Sequence, residues 1–195
     1  MAPVKVFDNL YYVGMTEYSA WAVRTSQGFI VIDTIYDYSV EDEIVNGLRT
    51  LGFNPADIKY AIVSHAHTDH AGGAKLLQDR FGTRIVMSSE DWDMADRSLP
   101  AAIRPTRDVV MKDGDTLTLG DTTITMYLTP GHTPGGICYR IDDPATPLCF
   151  VGDTLFAGSI GRSNPFTLYP IHLTSVRATV LGLPPSYRLL PGHGP

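Results

Sequence analysis

Four of the six residues in His65-Ala66-His67-Thr68-Asp69-His70 carry side chains that bind divalent metal. Imidazole and carboxylate suit a borderline cation such as zinc. Three further stretches repeat the device in single copy: Thr129-Pro130-Gly131-His132-Thr133-Pro134-Gly135-Gly136, Gly152-Asp153-Thr154 and Gly192-His193-Gly194. Each follows an apolar run, so each places one ligand in a tight, glycine-bearing turn at a strand end. A Gly-His or Gly-Asp turn by itself is ordinary loop chemistry. Together with the hexapeptide they collect His65, His67, Asp69, His70, His132, Asp153 and His193, leaving only His172 of the six histidines outside. Seven ligands exceed what one tetrahedral ion needs, whereas two ions sharing a carboxylate and a water would use them all. With no cysteine among them, the site reads as catalytic rather than structural.

The elements that must position these residues follow from pattern. Leu10 to Val13, Ser19 to Thr25 and Phe29 to Asp33 are β-rich runs that form an opening antiparallel meander. Val40, Ile44, Val45, Leu48 and Leu51 fall at helical spacing, closed by Gly52 and Pro55. The strand Ile58 to Ser64 feeds the hexapeptide, which reads as a strand-to-helix turn before a helix from Gly73 to Phe81. Arg84 to Met87 is a short strand, and Ser88 or Ser89 caps a helix running to about Arg97. Leu99 to Arg107 is a loop. Strands then return at Val109 to Met111, Thr116 to Leu119, Thr122 to Leu128, Gly136 to Ile141 and Leu148 to Val151. A helix over Ile171 to Leu181 and a strand at Arg188 to Leu190 finish the chain. The order strands, α/β, strands, α/β predicts two facing sheets with helices outside.

Length and composition agree with one domain spanning residues 1–195: 44% hydrophobic and 18% charged residues are ordinary globular values. A net charge of −6 and the lack of any basic run argue against a nucleic-acid partner. No apolar stretch is long enough to cross a bilayer, and Met1 to Phe7 lacks a signal-peptide core, so a cytoplasmic location is expected, with a processed exported form as the alternative. Cys138 and Cys149 lie in apolar strand-like runs and read as buried thiols rather than a disulfide. The substrate is expected to be a small molecule; the oligomeric state is left open.

The hexapeptide, His132, Asp153 and His193, in this order and setting, resemble the metallo-β-lactamase superfamily of metal-dependent hydrolases, over nearly the whole chain. The resemblance implies an αβ/βα four-layer sandwich of two mixed sheets, with the site at one edge between them. It implies that His65, His67 and His132 hold a first zinc ion and that Asp69, His70 and His193 hold a second, with Asp153 bridging. Iron or manganese are alternatives. A water between the ions would lose a proton near neutral pH and attack a polarised carbonyl, with Asp69 orienting it. Asp33 matches a supporting position behind the ligands, or is a turn residue ahead of a helix.

Up to Gly135 the chain is similar to β-lactamases that carry the full hexapeptide and a final histidine. From Cys149 onward, Gly152-Asp153-Thr154-Leu155-Phe156, Gly158-Ser159-Ile160-Gly161-Arg162 and Leu190 to Pro195 look like glyoxalase-II-type hydrolases. True β-lactamases have serine or cysteine near Asp153, and glyoxalase-II enzymes add a C-terminal helical region not expected here. Ser163-Asn164-Pro165-Phe166 departs from the acidic continuation usual in those relatives. The expectation is therefore hydrolysis of an ester-like bond, foremost a thioester of the hydroxyacylglutathione kind. β-Lactam hydrolysis, lactone hydrolysis and mononuclear-iron persulfide oxidation are the alternatives. Tyr18 and Trp21 could arch over the site or simply pack. Arg162 could pair with a substrate carboxylate or remain a surface residue.

Overall fold

A computed structural model of the chain describes residues 1–163 and 165–194. Asn164 and Pro195, which belong to two of the stretches singled out above, lie outside the described residues. Seven strands form the first sheet in chain order: β1 (Val4–Lys5), β2 (Leu10–Tyr12), β3 (Trp21–Thr25), β4 (Gly28–Ile32), β5 (Ile58–Ile62), β6 (Arg84–Ser88) and β7 (Val109–Met111). The first four pair antiparallel, while β4 to β7 run parallel. β8 (Thr116–Leu119), β9 (Thr122–Leu128), β10 (Ile137–Ile141), β11 (Leu148–Gly152) and β12 (Arg188–Pro191) form the second sheet, antiparallel except for the parallel β11–β12 pair.

Period-two alternation decides the layers. Ile30 and Ile32 of β4 join Leu10, Val23, Ile62 and Val86 against Ile124, Met126, Ile137, Tyr139 and Phe150 of the second sheet, forming the core between the sheets. Phe29 and Val31, one residue out of phase, face the other way. They pack with Ala61, Val63 and Ile85 against residues of α1 (Asn46–Thr50, continuous with a wider turn over Glu41–Val45), α3 (Ala74–Phe81) and α4 (Ser89–Ser98). Behind the second sheet, Cys138, Cys149 and Val151 cluster with Val180, at the end of the helical stretch that α5 (Tyr169–Ser175) opens and Val176–Val180 continues. The result is the expected sandwich: helices, mixed sheet, mixed sheet, helix. Both cysteines are buried and free.

Three local readings change. The hexapeptide is not wholly a turn: Thr68–Ala71 forms a one-turn helix, α2. Gly72 and Gly73 separate it from α3, and a Cβ at Gly73 would fall 2.4 Å from the Thr34 carbonyl, so this close approach requires glycine. The last helical stretch starts earlier than Ile171, with a 3₁₀ turn over Phe166–Leu168 leading into α5. The edge strand β1, only two exposed residues long, has no periodicity to reveal it. Ser88 rather than Ser89 caps α4, its hydroxyl accepting from the Asp91 amide at 3.1 Å.

Candidate metal centre

The parallel strands β4 and β5 end at the same edge of the first sheet, as β9, β11 and β12 do in the second. Their ends carry, in order, Asp33, the hexapeptide, the His132 turn, Asp153 and His193. Two cross-sheet bonds fasten this edge: Ile137 N–H donates to Ser64 O at 3.0 Å, and the Tyr139 hydroxyl donates to Val63 O at 3.0 Å.

Seven side chains converge there. Ligand-capable atoms of His65, His67 and His132 lie within 4.8 Å of one another, and so do those of Asp69, His70 and His193; His65, His70 and Asp153 form a third such group spanning the two. Asp153 is central, with Oδ2 3.3 Å from His132 Nε2 and 3.2 Å from His193 Nε2, and Oδ1 3.3 Å from His70 Nε2. Asp69 Oδ2 lies 3.4 Å from His193 Nε2.

The donor set fits a metal. His65 Nε2 and Asp153 Oδ1 are buried without a hydrogen-bond partner, an arrangement that costs about 1–3 kcal/mol per atom unless something satisfies it. Ring nitrogens face one another with no acceptor between them: His67 Nδ1 and His132 Nε2 at 3.0 Å, His70 Nε2 and His193 Nε2 at 3.3 Å. Convergent lone pairs of this kind are what a cation needs and what a hydrogen-bond network avoids.

Surrounding groups set the tautomers. His132 Nδ1–H donates to Arg162 O at 2.6 Å, leaving Nε2 for the centre. His70 Nδ1–H donates to Asp33 Oδ2 at 2.8 Å, and Asp33 also accepts from Ser64 N–H and Oγ–H at 2.7 and 2.9 Å. Burial pushes His65 well below the ordinary imidazole range, lowers His67 to about 4 and lowers His132, so these three are neutral at pH 7. Burial would also lower His70, but the Asp33 and Asp153 carboxylates raise it well above that range; the Asp153 hydrogen bond raises His193. Against burial, His70 and the hydrogen bond from His193 hold Asp153 far below the usual carboxylate range.

Other candidates are distributed more loosely. Tyr18 pairs its backbone with His193 in an isolated bridge and sets its ring 5.2 Å from the imidazole. Trp21 packs edge-on to Tyr12 and Phe150 and borders a cavity that reaches His193. The Arg162 side chain is exposed; the centre uses its backbone carbonyl. Two contributors carry no signal in the sequence. Asp91, buried at the start of α4, accepts from Ala66 N–H, Thr133 Oγ–H and Gly135 N–H at 2.9, 3.0 and 2.9 Å, so one carboxylate ties the hexapeptide loop to the His132 turn. Burial lifts it to about 6, still ionised at pH 7. His172, fully buried on α5, donates from Nε2 to Thr154 O at 3.0 Å and accepts from Ser163 Oγ at 3.1 Å. Its Cβ would sit 2.2 Å from any Cβ at position 131, which is why glycine precedes His132.

The sequence model of the metallo-beta-lactamase superfamily matches residues 14–193. The chain belongs to that superfamily. Among its relatives, a hydroxyacylglutathione hydrolase of Pseudomonas putida (strain W619) is 40% identical over 102 residues, 52% of this chain and 35% of that protein. A probable polyketide biosynthesis zinc-dependent hydrolase of Bacillus velezensis, BaeB, is 30% identical over 88% of this chain and 70% of its own length. The chain spans 35% to 51% of the length of the Pseudomonas putida hydroxyacylglutathione hydrolases it matches. Among solved structures, a metallo-β-lactamase of Cronobacter sakazakii superposes with a TM-score of 0.83 at 28% identity, covering 99% of this chain and 78% of that one. No helix among the described residues is long and apolar enough to cross a membrane.

Proposed function

We propose that this superfamily member is a dinuclear zinc hydrolase, one domain over residues 1–195, that cleaves an ester-like carbonyl bond, foremost a thioester. The reading rests on the central place of Asp153, whose oxygens reach toward both histidine clusters while Oδ1 has no hydrogen-bond partner. His65, His67 and His132 would hold one ion and Asp69, His70 and His193 the other, with Asp153 between them. Bound zinc supplies Lewis acidity that polarises a carbonyl and lowers the pKa of a coordinated water.

The chain's own residues do the rest. Asp33 and the Arg162 carbonyl each hold one imidazole N–H, which aims the opposite nitrogen of His70 and of His132 inward. Asp69, with its side chain about a fifth exposed, orients the attacking water and accepts its proton. Water adds to the carbonyl carbon, the carbon–sulfur bond breaks, and the products are a carboxylic acid and a thiol. β-Lactam ring opening is the second reading, favoured by the likeness to solved metallo-β-lactamases.

Metal stoichiometry and a panel of thioester, lactone and lactam substrates, each with and without chelator, test this. Two zinc equivalents and chelator-sensitive thioester turnover are expected, and Asp153→Ala should lose metal and activity together. Full activity in that variant breaks the bridging assignment; turnover of the lactam alone reverses the substrate order. One iron per chain with oxygen consumption removes the hydrolase reading.

A further inference from the structure

On the His193 side of the two clusters lies a cavity of about 580 Å³, lined chiefly by Tyr12, Trp21, Phe156, Leu190, Pro191 and His193 itself. Among the described residues no Asp, Glu, Lys or Arg borders it, and the hydroxyl-bearing Thr16, Ser19 and Ser159 complete its rim. The Phe156 ring meets the His193 ring edge-on at 5.5 Å, so an apolar wall begins where the candidate ligands end. Trp21 is fixed by its edge contacts with Tyr12 at 4.9 Å and Phe150 at 6.3 Å. The Tyr12 hydroxyl is already spent on the Met15 carbonyl. Trp21 Nε1–H, in contrast, is buried without a partner. The walls are therefore mainly aromatic and aliphatic carbon, edged by a few hydroxyls.

Resting on the hydrolase reading, we propose that this cavity takes an apolar chain of the substrate, so that the preferred thioester carries an aliphatic or aromatic group rather than a charged one. Pockets that bind small molecules are mostly apolar with few polar groups, and this one opens on the residue shared with the candidate metal centre. A carboxylate pushed deep into it would lose its hydration and meet no Lys or Arg side chain among the described residues. An alkyl chain gains with each buried methylene, worth about four-fold in binding per carbon. The chain could belong to the acyl half or to the thiol half of the thioester, and the test distinguishes them.

Metal-loaded protein is assayed with two series: acetyl to octanoyl on one common thiol, and ethanethiol to octanethiol on one common acetyl group, with S-lactoylglutathione for comparison. The expected result is a rise in kcat/KM of about four-fold per methylene in one series until the cavity is full. Phe156→Ser and Trp21→Ala should each collapse the ratio of longest to shortest substrate, while Trp21→Phe, which keeps a ring, retains most of it. Calorimetric titration of the chelated protein with octanoate and with octanol against their two-carbon counterparts gives a readout free of turnover. Thioester hydrolysis that is flat in both series, or fastest with S-lactoylglutathione, overturns the cavity assignment and leaves the hydrolase reading standing. Length-dependent binding without hydrolysis of any thioester overturns the hydrolase reading and leaves the cavity assignment.

Discussion

Asp33 shows how one residue serves backbone and chemistry together. It sits just past β4 with φ at 58°, in the left-handed region that aspartate and asparagine tolerate better than other non-glycine residues. That conformation turns the chain at the sheet edge and leaves the carboxylate to accept from Ser64 and His70. Asp33→Asn keeps the size and the tolerance for this backbone but must aim an NH₂ at one of those donors. Metal affinity of the Asp69, His70 and His193 cluster should fall by about 10–100-fold with little change in circular dichroism. Competition against a metallochromic chelator measures it; two equivalents bound as tightly as in the parent chain would show that Asp33 only shapes the turn.

Between elements, the decisive links are polar and buried. Asp91 at the start of α4 draws together a loop from the first sheet and a turn from the second through three accepted hydrogen bonds. A carboxylate can accept all three, whereas an amide can accept only through its oxygen. Asp91→Asn should therefore cost about 1–3 kcal/mol of unfolding free energy at pH 7.5, read from urea denaturation of chelated protein. An unchanged midpoint would mean that packing, not this carboxylate, joins the loops. α2 makes a similar point by geometry: one helical turn sets Asp69 and His70 at its start, and glycine at 73 lets it approach the Thr34 carbonyl.

At the scale of the molecule, the candidate site lies where two sheets meet, and each sheet supplies part of each cluster. Metal that binds there stabilises the fold by mass action and joins the two halves. At free metal about 1,000 times above Kd the gain is about 4 kcal/mol, and removal should lower Tm by about 8–16 °C for a chain of this size. Differential scanning calorimetry with and without chelator checks this; an equal Tm would show that the clusters hold no ion under those conditions. Unlike a disulfide, such a link can be reversed by chelation alone.

Much of this was legible in the linear chain because ligand chemistry and strand pattern are local. The spacing of His65 to His70 and the glycine turns around His132, Asp153 and His193 name all seven side chains that converge, and β alternation with helical periodicity gives the layers. What residue type leaves open is which donors share a tautomer, a carbonyl or a cavity, since those depend on partners distant in sequence. Asp91 lies 25 positions from Ala66 and 42 from Thr133, and nothing in its own neighbourhood marks it. His172 follows no strand end, and only packing brings it against Thr154 and Ser163. The Arg162 carbonyl, which any residue type would carry, orients His132, and residue type gives no sign of that role. Residue type names the donor atoms, and hydrophobic period gives the sheets that carry them. Tertiary structure alone decided how the imidazoles are oriented and what apolar space opens beside them, because both arise where the two sheets meet.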